Sequence, residues 1–289
     1  MVYHNYWQGY PLEKTMRFLL VILVSAFLFS ESVQSENMPP DMQRIITNGK
    51  LVVAMYFEDV PPFFMHSKSG DFFGFEVDLA TDIAQRLGVS VEFNRDAKTF
   101  DEIVDMVAER KADIAISMLS NTLNRAKRVR FSEPYITLHQ SLLINRLKIA
   151  QFKGGETEID KILNREGIEI GVIEGTSYVA FAHKDYPKAT IIPYKDWQSV
   201  VRDVLSAKIF AVLYDEIEIR NWHKMNPDGA LYVQTVIMDN KEDTIAFAVN
   251  PEDEQFWVWL NLYLKQIKSD GTNNRLINKY FQGEQWVEK

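Results

Sequence analysis

Apolar residues recur along the chain in two rhythms. Short β-rich runs alternate with stretches whose apolar positions fall three or four apart, as on one face of a helix. "KLVVAMYF" from Lys50 is a strand and ends before Val60-Pro61-Pro62, where proline cannot continue a ladder. "GFEVDLATDIAQRLGV" from Gly74 sets Phe75, Leu79, Ile83 and Leu87 at helical spacing and meets Gly88, a helix stop. "VSVEF" predicts a strand, "TFDEIVDMVAERKA" a helix with Ile103, Met106 and Val107 on one face, and "DIAISM" a buried strand. This strand–helix–strand–helix–strand order predicts an open parallel sheet.

The order then repeats. "IEIGVIEGTS" is a strand entering a glycine turn, "YVAFAHKDYP" a helix up to Pro187, "TIIPY" a strand, "WQSVVRDVLSAK" a helix and "IFAVLYDE" a strand. Two βαβαβ blocks predict an α/β fold of two Rossmann-like lobes. Between and after them, "ITLHQSLLINR" and "DTIAFAVNP" are extended and apolar, so the chain crosses between the lobes twice and a two-strand hinge is expected. The expected division is residues 36–142 with 247–289 for lobe 1 and 143–246 for lobe 2. Two helices rich in aromatic residues close the chain; "WVWLNLYL" from Trp257 is flanked by charges and reads as core packing.

The chain's 289 residues suffice for two cores, and 46 % apolar with 25 % charged is an ordinary globular composition. In the first 35 residues Lys14 and Arg17 cancel Glu13 and Glu31, so the remainder carries the whole net charge of −8. An acidic body argues against nucleic acid as a partner. Arg17 followed by an apolar run from Phe18 to Phe29 is too short to span a bilayer and reads as a secretory signal peptide, with cleavage expected after Ser35. The preceding Met1–Thr15 leader is unusual, and Met16 is an alternative start. There is no cysteine, so no disulfide, thiol nucleophile or lipoprotein anchor is expected. An exported, unanchored protein of this kind belongs in the periplasm. The five histidines have no metal-ligand spacing, and Gly154-Gly155 is a loop signal without a phosphate-binding motif. No cofactor is expected.

Ligands of parallel α/β sheets bind at the carboxyl ends of the strands. "DIAISM" leads there into Leu119–Asn121, and Thr122 is placed to cap a following helix through the Arg125 amide. Arg125 offers a planar fork for both oxygens of a carboxylate, and Ser120 a further hydrogen bond. In block two, Gly175 permits close backbone approach beside Thr176 and Ser177, and Asp215 ends a strand, where it can pair with a cation or cap the next helix. An anion socket in one lobe and a carboxylate in the other suit an α-amino acid gripped across a cleft.

"GFEVDLATDIAQRLGV", "ADIAISMLSNTLNRAKRVRFSEPY", "IGVIEGTS", "AVLYDE" and "LKQIKSDGTNNRLINKYF" together resemble the family 3 extracellular solute-binding proteins, the periplasmic amino-acid receptors of ABC transporters. The resemblance runs over roughly residues 45–283 and implies the periplasmic-binding-protein fold, an amino-acid ligand, an inner-membrane permease as partner and action as a monomer. It implies that Arg125 binds the ligand α-carboxylate, with Ser120 and the Thr176 amide helping and Ser177 nearby. By the same resemblance Asp215 binds the α-ammonium, the Met118 carbonyl accepts from it, and Phe100 forms an apolar wall. Val60 departs from the pattern, standing where many members carry a stacking aromatic; Phe57 or Phe63 is the expected substitute. Glu174 is expected to face the side-chain pocket, where it favours a cationic or amide group. The alternative function is a periplasmic cyclohexadienyl or arogenate dehydratase on the same fold, with Glu218 as general acid.

Overall fold

The computed structural model describes residues 38–151 and 158–282. The expected signal peptide and the Gly154-Gly155 loop lie outside the described residues. In chain order the first block holds α1 (Pro40–Asn48), β1 (Lys50–Tyr56), β2 (Met65–His66), β3 (Phe72–Phe73), α2 (Phe75–Leu87), β4 (Ser90–Ala97), α3 (Phe100–Ala108) and β5 (Ile114–Ala115). The crossing strand β6 (Arg130–Asn145) leads through α4 (Arg146–Gln151) and α5 (Ile159–Leu163) into the second block. That block holds β7 (Glu169–Ile173), α6 (Ser177–Asp185), β8 (Thr190–Tyr194), α7 (Trp197–Leu205), β9 (Ala211–Asp215) and α8 (Glu216–Met225). The chain returns along β10 (Val233–Val249) and ends in α9 (Glu254–Ser269) and α10 (Thr272–Ile277).

Helix ends follow local chemistry. Thr99 caps α3 by accepting from the Glu102 amide, and Asp196 caps α7 by accepting from Ser199. Gly88 ends α2 in the left-handed conformation at φ 73°, which glycine adopts without a Cβ penalty.

The two blocks are near-repeats in space. β1 lies between β4 and β5, parallel to both, and β7 lies between β8 and β9 in the same way. The crossing strands pair antiparallel with each other, β10 adding to β5 and β6 to β9, so the strand order is β4-β1-β5-β10-β6-β9-β7-β8. Their mutual register shifts between Ile237 and Glu242. Leu138 faces Asp243 and Gln140 faces Asp215 at the passage between the blocks. Each block has its own apolar core, one around Phe75, Tyr135, Phe247 and Phe256, the other around Leu142, Ile170, Tyr178 and Leu213. Phe256, Leu260, Tyr263, Leu264 and Ile267 of α9 are buried in the first core, as the charged flanks of that helix led one to expect.

Two local expectations are corrected. "DIAISM" is a strand only over Ile114–Ala115, because Met118 turns to φ 46° and leaves the ladder. The helix expected after Thr122 is a single 3₁₀ turn, Arg125–Lys127; the chain then extends because Arg130 and Phe131 pair with Val249 and Ala248. The Thr122 hydroxyl does accept from the Arg125 amide, at 3.3 Å. Three residues make no appreciable helix dipole, so any anion preference here rests on the guanidinium.

Candidate functional site

The strand tips of both blocks meet at one hollow of about 20 Å³. It is lined by Phe100, Met118, Ser120 and Arg125 from the first block, Thr176, Ser177, Tyr178, Tyr214 and Asp215 from the second, and Asp243 and Ile245 from the crossing strand β10. All seven residues expected from the sequence are therefore brought together. Tyr178, Tyr214, Asp243 and Ile245 were not anticipated.

Arg125 is 6 % exposed. Its Nε donates to Asp101 at 3.0 Å, Nη1 to the Ser120 carbonyl at 3.3 Å and Nη2 to the Gly175 carbonyl of the other block at 3.3 Å. Ser120 Oγ and Ser177 Oγ also bond across the cleft at 2.8 Å, and Asn221 donates to the Pro61 carbonyl at 2.7 Å. Gly175 is needed at this closure. Its φ is +71°, and a Cβ there would lie 2.9 Å from Thr99 Cβ. The Thr176 hydroxyl is turned back to the Ile173 carbonyl at 2.7 Å and leaves the α6 start without a side-chain cap.

Met118 takes its left-handed turn because Glu76 accepts from the Met118 amide at 2.7 Å. Tyr135 O–H donates to the same Glu76 oxygen. Such a backbone costs about 1–2 kcal/mol for a residue with a side chain, and the hydrogen bond to Glu76 offsets it. Burial pushes Glu76 up to about 7 despite those two bonds.

Asp215 is buried and caps α8, its Oδ1 accepting from the Glu218 amide at 2.8 Å. Burial, opposed by the cap bond and reinforced by Asp243, raises its carboxyl to about 7. The cap and the cation-pairing roles are compatible, since a carboxylate accepts at both oxygens. Burial, and after it Asp215, raises Glu218 to about 8.

A larger hollow of about 350 Å³ adjoins, lined by Tyr56, Val60, Phe100, Trp197 and Tyr214 with Glu58, Asp59, Glu174, Asp196 and Glu218 against Lys98 and Lys195. Acids outnumber bases among these residues, and Glu174 is among the lining groups as expected. The ring of Tyr56 stacks on Phe100 at 5.0 Å and 9°. Tyr56, Trp197 and Tyr214 supply the aromatic surface that Val60 lacks. Phe63 cannot, because it is fully buried against Phe75 and Phe281. Phe57 packs edge-on to Tyr56 beneath Lys98. Tyr56 was legible as a strand residue, but its place at the strand tip beside Phe100 depends on the β1–β4 register.

Residues 51–283 match the model of the bacterial extracellular solute-binding proteins, family 3. The chain belongs to that family. The arginine-binding protein 1 of an Escherichia coli K12 ABC transporter is 25 % identical over 222 residues, covering 76 % of this chain and 86 % of that protein. The lysine/arginine/ornithine-binding periplasmic protein of the same strain is 24 % identical over 226 residues, covering 76 % and 83 %. Among solved structures, the ancestral amino acid-binding protein AncCDT-1, a precursor of cyclohexadienyl dehydratase, is 30 % identical with a TM-score of 0.68, covering 83 % of this chain and 99 % of that one. This family 3 member is thus a two-lobed solute-binding protein related to amino-acid-binding components of ABC transporters, and a binding role, not a catalytic one, goes with those relatives. AncCDT-1 is itself an amino acid-binding protein, so likeness to it carries no dehydratase chemistry to Glu218. Among the described residues no helix is long and apolar enough to cross a membrane, and no cluster of three or more His, Asp or Glu could hold a metal.

Proposed function

We propose that this protein is the periplasmic receptor of an ABC transporter for an amino acid with a cationic side chain, exported by a signal peptide and free of a lipid anchor. The observation that carries the reading is the convergence of Arg125 and Asp215 on one hollow, continuous through Phe100 and Tyr214 with an aromatic, acid-rich one. The guanidinium suits the ligand α-carboxylate, helped by Ser120, the Thr176 amide and Ser177. Asp215 and the Met118 carbonyl suit the α-ammonium. The acidic hollow suits a guanidinium or ammonium side chain, with the aromatic rings adding cation–π attraction. The named arginine- and lysine-binding relatives support the same ligand class.

The mechanism is hinge closure. The lobes, proposed as 36–142 with 247–289 and 143–246, part at β6 and β10 to admit the amino acid. They then close through the Arg125–Gly175 and Ser120–Ser177 contacts. A monomer in the closed form is handed to the permease. Calorimetry of refolded, ligand-free protein against the twenty amino acids tests this. Binding of arginine, lysine or histidine is the expected result, and silence towards all twenty overturns it.

A further inference from the structure

The crossing strand β10 brings a second carboxylate into the hollow. Asp243 is 3 % exposed. Its Oδ2 accepts from Ser120 Oγ at 3.0 Å, while Oδ1 has no hydrogen-bond partner among the described residues. The hydroxyl of Tyr178, which lines the same hollow, faces Asp243 without a hydrogen bond of good geometry. Because Leu138 and Gln140 are two apart on β6, their partners Asp243 and Asp215 emerge on one face of the continuous sheet.

A ligand α-carboxylate held by Arg125 and Ser120 would stand beside an ionised Asp243 and share Ser120 with it, placing two carboxylates on one hydroxyl in a desolvated site, which is costly. A proton on Asp243 removes that conflict, and its second oxygen becomes the O–H donor.

We propose that Asp243 is a specificity-determining residue that takes up a proton as the amino acid binds and donates a hydrogen bond to the ligand α-carboxylate. This rests on the receptor reading above. The charged and polar groups facing Asp243 are Ser120 and Arg125 from the loop after β5, Tyr178 from α6, and Tyr214 and Asp215 from β9. From β6 it faces Leu138. On its own strand Glu242 pairs across to His139, and Lys241 turns to Asp160 and Tyr186. Burial lifts the Asp243 carboxyl to about 6 against the pull of Ser120, Tyr178 and Arg125. A ligand carboxylate alongside lifts it further, so the acid charged at neutral pH becomes neutral in the complex.

Titration calorimetry at pH 7, in buffers of different ionisation enthalpy, counts protons taken up with arginine and with agmatine, its carboxyl-free analogue. The wild-type protein should take up more protons with arginine than with agmatine, by an amount approaching one. Arginine affinity should then fall relative to agmatine by up to about tenfold from pH 7 to pH 8. Asp243→Asn, whose amide donates without a proton, should abolish the difference and bind arginine more tightly than wild type at pH 8. Should that variant not fold, the wild-type comparison of the two ligands decides alone; should agmatine bind too weakly, the two proteins compared on arginine decide. Equal uptake for both ligands, or a difference that survives in Asp243→Asn, overturns the inference and leaves the receptor reading standing. Silence of the wild-type protein towards every amino acid overturns both.

Discussion

Ser120 and Ser177, on opposite sides of the cleft, bond hydroxyl to hydroxyl at 2.8 Å. Ser120 also donates to or accepts from its neighbours in the same hollow, with Asp243 at 3.0 Å and the Arg125 Nη1 at its carbonyl at 3.3 Å. The loop after β5 is therefore held to the second block and to the crossing strand at once. A ligand that inserts here exchanges these contacts for its own, which is how binding and closure become one event.

Arg125→Ala should weaken amino-acid binding by about 2–4 kcal/mol, since a buried charge-assisted pair is lost and the ligand carboxylate is left under-satisfied. Arg125→Lys should recover only part, because the planar fork is gone. Calorimetry on both variants measures this; unchanged affinity in Arg125→Ala would remove the socket from the site.

Asp215→Asn keeps an oxygen to accept from the Glu218 amide, so α8 stays capped. Thermal stability should change little, while affinity for an α-ammonium ligand drops by roughly 2–3 kcal/mol with the loss of charge. A variant that unfolds early yet binds normally would reduce Asp215 to a cap.

Gly175→Ala adds a Cβ 2.9 Å from Thr99 Cβ at a residue with φ +71°. The clash exists only when the lobes are shut, so the expected result is weaker binding and a ligand-bound scattering profile that stays wide. Full compaction with ligand would show that this contact does not limit closure.

Stability should fall as pH rises. Glu76 has a folded-state value near 7 against an ordinary 4.5, so between those values the native state holds a proton that the unfolded chain has lost. Its contribution is intact below about 4.5 and is lost as pH passes 7. The loss is of order 3 kcal/mol at about 1.4 kcal/mol per unit. Asp215 and Asp243 act in the same direction. Glu76→Gln keeps an acceptor for Met118 and Tyr135. Melting temperatures at pH 5 and pH 7.5 should therefore lie closer together in that variant; an unaltered gap would assign the pH dependence elsewhere.

What was readable in advance was local or periodic. The alternation of strands and helices, the stops at Pro61 and Gly88 and the paired polar loops after β5 and β7 follow from backbone restrictions and spacing along a few neighbouring residues. So does the placing of Asp215, which ends a strand whose carboxyl tip must face the cleft, and of Arg125 in the polar run that follows β5.

Asp243, Tyr178 and Glu76 were not readable as site residues. In sequence, Asp243 opens the extended run "DTIAFAVNP" directly after Lys241-Glu242 and carries no sign of burial; pairing of β10 with β6 opposite Leu138 buries it. The run after Thr122 shows the same limit, because long-range pairing with Val249 and Ala248 draws it into a strand where its local pattern suggested a helix. The amino-acid order alone determined the alternation of strands and helices, the strand-end placing of Asp215 and the polar loop that carries Arg125. The packing of two distant halves decided which carboxylates lose water, and desolvation, unlike propensity, depends on neighbours that the chain order does not name.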